Sequence, residues 1–230
     1  MPQQRFRVWF AKSERVRYIS HLDVLRYWER AIRRAGLPLA YSQGFTPHPK
    51  IAFAGPLPLG FASEAELMDV TLDERVSEEE FRAKVLCQAT GDFAIAGMEE
   101  VPLLGPAPQS IILWADYRVE LPEVPLATAE QAVREFMALS TLEWTEQRRE
   151  KARTYDLRAA VASLASFDRD GLTCLRMRIS NTPDLTARPE QVLAALIPGA
   201  EPGLITRTGL LLDETSPARE AWRRKGQYQS

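Results

Sequence analysis

The sequence predicts an α+β protein made of two tandem βαββαβ modules. Three observations carry this expectation. Segments of period-two and helical-period apolar patterning follow one another in that order twice. A stretch with three prolines and a glycine, residues 102–110, separates the two series. The 230 residues are 26% charged and 45% apolar, enough for cores that need no metal or disulfide support.

In the first series, Phe6, Val8 and Phe10 alternate with Arg5, Arg7 and Trp9 and predict a strand. A helix is expected from about Ser20 to Ala35. Ser20 can cap it, Asp23 favours its first turn, and Gly36 stops it. Leu22, Leu25, Trp28 or Glu29, and Ile32 are its expected inner face. The turn-rich residues 41–50 lead to a strand at 51–54, a stiff Gly55–Gly60 loop, and a strand at 66–72. Ser77 and Glu80 form a capping box for a helix burying Phe81, Val85, Leu86 and Ala89. Residues 93–98 close the series as a strand.

The second series places strands at 111–121, 142–146, 172–179 and 204–212, with helices at 128–139 and 189–196. Thr128 and Gln131 are read as a capping box, and Pro189 stands where a helix start tolerates it. Residues 148–170 are harder: a basic run, then an apolar 157–167 stretch read as a short helix. The order is the split βαβ pattern of ferredoxin-like modules. The expected boundaries are 1–101 and 111–213, with 102–110 as linker and 214–230 as a polar tail.

Two cysteines, Cys87 and Cys174, and no leader-like N-terminal run point to a reducing cytosol. No run approaches the roughly 20 apolar residues of a membrane span. Two histidines and two distant cysteines make no zinc site, and no cofactor is expected. Phosphate-loop, dinucleotide, zinc-protease and nucleophile-elbow motifs are missing from the sequence. Net charge is −2, yet residues 1–50 hold ten Lys/Arg against three Asp/Glu, and residues 51–100 hold three against eleven. That asymmetry gives one region of the chain an attraction for polyanions.

By strand parity, Arg5, Arg7 and Trp9 face away from the helices, a set suited to phosphate contact and base stacking. On the first helix, Arg26, Arg30, Arg33 and Arg34 form a basic stripe opposite the apolar one. In the second module, Arg176 and Arg178 share a side, as do Trp114 and Arg118. Two open sheet faces turned together would collect Arg5, Arg7, Arg118, Arg176 and Arg178 in one cleft. A third run is Arg148, Arg149, Lys151, Arg153 and Arg158. Each set has a plain alternative as solvated surface. His21, beside Tyr18 or Lys50, is the candidate general base on a 2′-hydroxyl. His48 is braced by Pro47 and Pro49.

Three stretches form one connected pattern: Tyr18-Ile19-Ser20-His21-Leu22-Asp23, Arg33-Arg34-Ala35-Gly36-Leu37-Pro38-Leu39, and Tyr41-Ser42-Gln43-Gly44-Phe45-Thr46-Pro47-His48-Pro49-Lys50-Ile51. Pro56-Leu57-Pro58-Leu59-Gly60, with Ser63, Glu64, Glu66 and Asp69, extends it. Lys151, Arg153, Asp156, Arg158, Arg188-Pro189 and Arg207 match more loosely. The pattern resembles the radical-SAM-linked protein family, whose members are free-standing or joined to the C-terminal end of a radical SAM protein. The chain is expected to be a free-standing member. The resemblance implies a partnership with a radical SAM protein acting on RNA and carries over no catalytic residue. The chain lacks the three clustered cysteines that would hold such an enzyme's cluster. At the level of fold it also resembles the CRISPR repeat-processing RAMP endoribonucleases, without their Gly-rich loop.

The leading expectation is an RNA-binding accessory protein, holding tRNA or rRNA for a radical SAM or ribonuclease partner. Its ligands would be Arg5, Arg7, Arg26, Arg30, Tyr41, His48 and Lys50, with Tyr41 or Trp9 stacking. A metal-independent endoribonuclease with His21 as base and Lys50 as charge stabiliser is the second. A protein-interaction subunit docking through Gly55–Phe61, without RNA contact, is the third.

Overall fold

The computed structural model describes residues 3–148, 151–182 and 184–213. These form two compact units: residues 3–112 with 212–213, and residues 113–211. The proline-rich segment 102–110 belongs to the first unit.

In the first unit the order is β1 (Gln4–Lys12), α1 (His21–Arg34), β2 (Ile51–Phe53), β3 (Ala62–Leu72), α2 (Glu78–Leu86) and β4 (Ile95–Val101). The strands lie in the order β4-β1-β3-β2, and β1 is antiparallel to both neighbours. Phe6, Val8 and Phe10 are buried, as their alternation requires. Phe6 stacks on Phe81 of α2 at 4.5 Å, and Phe10 meets Trp28 of α1 edge-on at 5.0 Å. Such pairs add directional attraction to the burial of their area.

α1 begins and ends by the devices its sequence carries. The Ser20 hydroxyl accepts from the Asp23 amide. At the other end Gly36 adopts φ +66°, its amide donates to Arg33 and that of Leu37 to Ile32. This is the glycine-ended closure that satisfies the last carbonyls of a helix. The buried side is Val24, Trp28, Ala31 and Ile32; Leu22, expected inside, is 60% exposed because it lies about 160° around the helix from Val24, on the opposite face. α2 is capped by Ser77, which accepts from Glu80, and buries Phe81 and Val85 while Leu86 points outward. Residues 91–93 form a single 3-10 turn, so β4 starts later than the expected strand at 93–98.

The second unit contains β5 (Ile112–Leu121), α3 (Leu126–Ala138), β6 (Glu143–Arg148), β7 (Lys151–Asp156), β8 (Val161–Arg169), β9 (Leu172–Ser180), α4 (Pro189–Leu196) and β10 (Ile205–Leu212). Its strands order as β10-β5-β9-β8, with β6 and β7 as a separate hairpin. Setting the hairpin aside, both units read β-α-β-β-α-β with the fourth strand beside the first and the second beside the third. α3 starts at Leu126 after Pro125, and no side chain caps it; Thr128 lies inside the helix.

The expected short helix at 157–167 is a turn and then β8. Leu157, Ala160, Val161 and Leu164 are buried at helical spacing. That spacing arises from a bulge between Val161 and Ser163, which reverses side-chain parity within the strand. Asp170-Gly171, at φ +56° and +83°, closes the β8–β9 hairpin between the paired Arg169 and Leu172.

Phe10→Ala should lower the unfolding free energy by about 3–5 kcal/mol, the range for a buried phenylalanine. Leu22→Ala should change it by less than about 0.5 kcal/mol. Urea midpoints at unchanged m-value check both.

Candidate nucleic-acid interface

The strand arginines of the first unit do face away from the helices, but that side is not open. Arg7 is wholly buried. Its Nε and Nη2 donate to the two carboxylate oxygens of Asp69, at 2.8 and 2.9 Å. Asp69 stands directly across on β3, and the 3%-exposed Glu99 directly across on β4. Arg7 Nη2 also reaches the Pro106 carbonyl at 3.4 Å. Arg5 lies 3.7 Å from Asp69 and is mostly buried, which lowers its pKa against the pull of Asp69. A Cβ at Gly105 would stand 2.7 Å from the Arg5 guanidinium, so segment 102–110 passes close over this arginine, and a larger residue there would displace the guanidinium. Arg5 and Arg7 are therefore spent on Asp69 and the strap above it, which corrects the expectation of an open cationic face. Trp9 is partly exposed on the same side.

The second unit repeats this arrangement. Arg178 on β9 donates to both oxygens of Asp116 on β5, at 2.7 and 2.8 Å, and the hydrogen bonds to Asp116 raise its pKa. The pair again joins the first and third strands of the unit. Arg178 is thus neutralised within the sheet, again unlike the expectation. Arg176 is exposed, its guanidinium 5.2 Å from the Phe167 ring, and Arg118 stands directly across from it.

α1 behaves differently. Arg26 pairs with Asp23 at 3.3 Å, both well exposed. Arg30, Arg33 and Arg34 are exposed and line one shallow concavity. Among the described residues no carboxylate forms an ion pair with any of the three. Tyr41 borders them. Its hydroxyl donates to Glu29 at 2.9 Å and also interacts with Arg33, and burial with the Glu29 contact pushes its pKa up. His48 is exposed, and its amide and carbonyl both bind Ser42, through the hydroxyl at 2.9 Å and the amide at 2.8 Å. Lys50 is held at 3.4 Å from the Gln3 side chain.

The catalytic candidates are not brought together. His21 packs edge-on against Phe53 and lines a small pocket with Phe10, Lys12, Ile19, Val24, Leu57 and Glu66. The lysine of that pocket is Lys12, not Lys50. Lys12 is 3% exposed and donates to the carbonyls of Arg17 and Ile19, fixing the turn that carries Tyr18. Burial lowers its pKa, opposed by Glu66. Tyr18 is exposed beneath the Arg17 guanidinium and beside Gly60. Lys12 continues the buried parity of Phe6, Val8 and Phe10, but the strand expected from the sequence stops at Phe10 and so leaves it out.

Of the third basic run, Arg149 and the side chains of Arg148 and Lys151 lie outside the described residues. Arg153 donates to the Asp184 carbonyl and lies over Tyr155, while Arg158 donates to the Val161 carbonyl. Asp156 accepts from the amides of Leu142, Arg158 and Ala159, and so closes the base of the β6–β7 hairpin. These residues of the looser motif hold a loop together. No group of three or more His, Cys, Asp or Glu able to hold a metal occurs among the described residues, and none of their helices is long and apolar enough to cross a membrane.

Fold and surface together define a mixed α/β protein of two units with an arginine-bearing helix on the first. The chain belongs to the family described as "Uncharacterized protein conserved in bacteria (DUF2344)", whose model matches residues 5–189. That description names no radical SAM partner. Comparison with curated proteins gives no match. Among solved structures, a chain of a Cbf5-Nop10-Gar1 complex is similar at 14% identity and a TM-score of 0.49, over 89% of this chain and 48% of that one. This chain thus spans about half that neighbour's length. A protein from Galdieria sulphuraria is similar at 14% identity and a TM-score of 0.28, over 85% and 90% of the two chains. A glycine cleavage system transcriptional repressor, described as putative, is similar at 10% identity and a TM-score of 0.25, over 93% and 100%.

Asp69→Ala should cost about 3–5 kcal/mol, because it removes the carboxylate that takes two hydrogen bonds from the buried Arg7 guanidinium. Asp116→Ala should cost about 1 kcal/mol or less, since its pair is partly solvated. Urea unfolding separates the two. Asp156 has a lowered pKa, chiefly through the Leu142 amide, then those of Ala159 and Arg158, against desolvation. The folded state then binds fewer protons than the unfolded one, so the stabilisation is present above about pH 4 and lost as pH falls through the lowered value. Wild type should exceed Asp156→Asn in stability at neutral pH, with the gap closing on acidification in a pH series of thermal melts.

Proposed function

We propose that the protein binds RNA through the exposed arginines of α1 and presents it to a partner enzyme. The observation that supports this is the contrast among its arginines. Arg7 and Arg178 are each met by two carboxylate oxygens. Arg30, Arg33 and Arg34 share one concavity and have no carboxylate partner among the described residues. Three adjacent guanidiniums left without counter-charge attract a phosphate backbone, where each can release a counterion. Arg26, Tyr41, His48 and Lys50 extend the same surface in this reading. Arg118, Arg176 and Trp9 are secondary contacts on the sheets. We read both units as ferredoxin-like modules, a scaffold on which exposed helix and loop residues do the binding.

The RNA in this reading is tRNA or rRNA, and the partner is a radical SAM or RNA-processing enzyme. The chain has only Cys87 and Cys174, so radical chemistry falls to that partner. A docking role has its own support. Tyr18 and Leu59, 69% and 63% exposed, flank Gly60, whose amide donates to the Arg17 carbonyl. Two large apolar groups held outward on a braced loop suit a protein contact.

The triple variant Arg30→Ala/Arg33→Ala/Arg34→Ala should bind RNA more weakly, with the slope of log K against log salt reduced by about 2–3. Fluorescence anisotropy across a salt series measures this. An unchanged slope in a folded variant would sink the proposal.

A further inference from the structure

The turn that follows α1 carries a side chain that no part of the fold uses. Phe45 is fully exposed, at 110% of its reference area. Its turn is nonetheless built. Tyr41 and Pro49 form an antiparallel bridge at the base, and Ser42 and His48 are joined by two hydrogen bonds. Gly44 adopts φ +128°, a conformation other residues rarely take, and so shapes the tip beside Phe45. Burial of a phenylalanine is favourable, and here the fold forgoes it.

The position of the turn gives the ring its meaning. Tyr41, at its base, is bound to Glu29 and interacts with Arg33. The Phe45 turn is therefore anchored to the same stretch of α1 that presents Arg30, Arg33 and Arg34. Phe45 is four residues from each end of the bridge, and at about 3.3 Å per residue the tip stays within about 13 Å of it. An exposed apolar ring on a turn anchored to a helix with guanidiniums that lack carboxylate partners among the described residues is a combination that suits single-stranded nucleic acid: cations hold the backbone and the ring stacks a base. Around it Gln43, Thr46 and His48 are polar and exposed, and Pro47 is the one other exposed apolar side chain of residues 43–48, so the apolar area is small. One ring matches one base and is small for insertion into a lipid surface, where a wider apolar face is needed.

We infer that Phe45 is the stacking platform for an unpaired base, and that the ligand of this surface is single-stranded RNA rather than duplex. This rests on the RNA-binding reading of α1 and adds the form of RNA and the residue that selects it. A duplex keeps its bases stacked internally and offers the ring nothing.

The test uses the full chain with a labelled single-stranded decanucleotide and a blunt RNA duplex, each titrated across salt. Wild type should prefer the single strand. Phe45→Ala should weaken single-strand binding by about 5- to 150-fold with an unchanged salt slope, and Phe45→Trp should restore it. Duplex binding should not respond to Phe45→Ala. Far-UV circular dichroism confirms that the variants are folded. If Phe45→Ala binds the single strand as wild type does, while the triple arginine variant loses slope, the platform is wrong and the RNA reading stands. If wild type binds neither RNA and the arginine variant changes nothing, both fall. If phosphatidylserine-containing vesicles bind wild type and lose Phe45→Ala, while RNA binding is unmoved by that change, the ring serves a membrane surface and the inference is overturned.

Discussion

Arg7 is wholly enclosed, and a guanidinium can remain in such a place only if its charge is met. Asp69 meets it with two parallel hydrogen bonds from the facing position on β3. The pairing fixes the register of the two central strands of the first unit, because a one-residue slip would part the charges and turn Phe6, Val8 and Phe10 outward together. It also ties down segment 102–110, through the Pro106 carbonyl and the close approach of Arg5 to Gly105. The same device joins Asp116 and Arg178 in the second unit, with acid and base exchanged between first and third strands. Two units with little likeness in sequence thus share a topology and the place of one ion pair.

That constraint redistributes the charge available for function. The N-terminal 50 residues carry ten basic groups, and their sum alone marks a polyanion surface. Once Arg5 and Arg7 engage Asp69, and Lys12 engages two carbonyls, the remaining cations concentrate on α1. The surface that can act is narrower than the count implies: the arginine concavity, bordered by Tyr41 at the base of its turn.

Much of the fold was legible in the sequence, for local reasons. Ser20, Gly36 and Ser77 cap α1 and α2 as their positions require, and the alternation of Phe6, Val8 and Phe10 marks the buried side of β1. The misreading of 157–167 has an equally local cause. A turn and a bulge in succession produce buried residues at helical spacing. The sequence does carry the opposing signal, Asp170-Gly171 between two alternating runs, which marks a hairpin. Phe45 was visible as a residue of the motif, while its exposure was not.

By itself the sequence determined the order of elements, their caps and the parity of their side chains, because these depend on neighbours a few residues apart. Only the tertiary structure decided which arginines are neutralised. Arg7 and Asp69, like Asp116 and Arg178, are 62 residues apart, and no local pattern records that they meet. The free energy of a charge depends on what surrounds it in space, so parity can say which way a guanidinium points but not what it finds there.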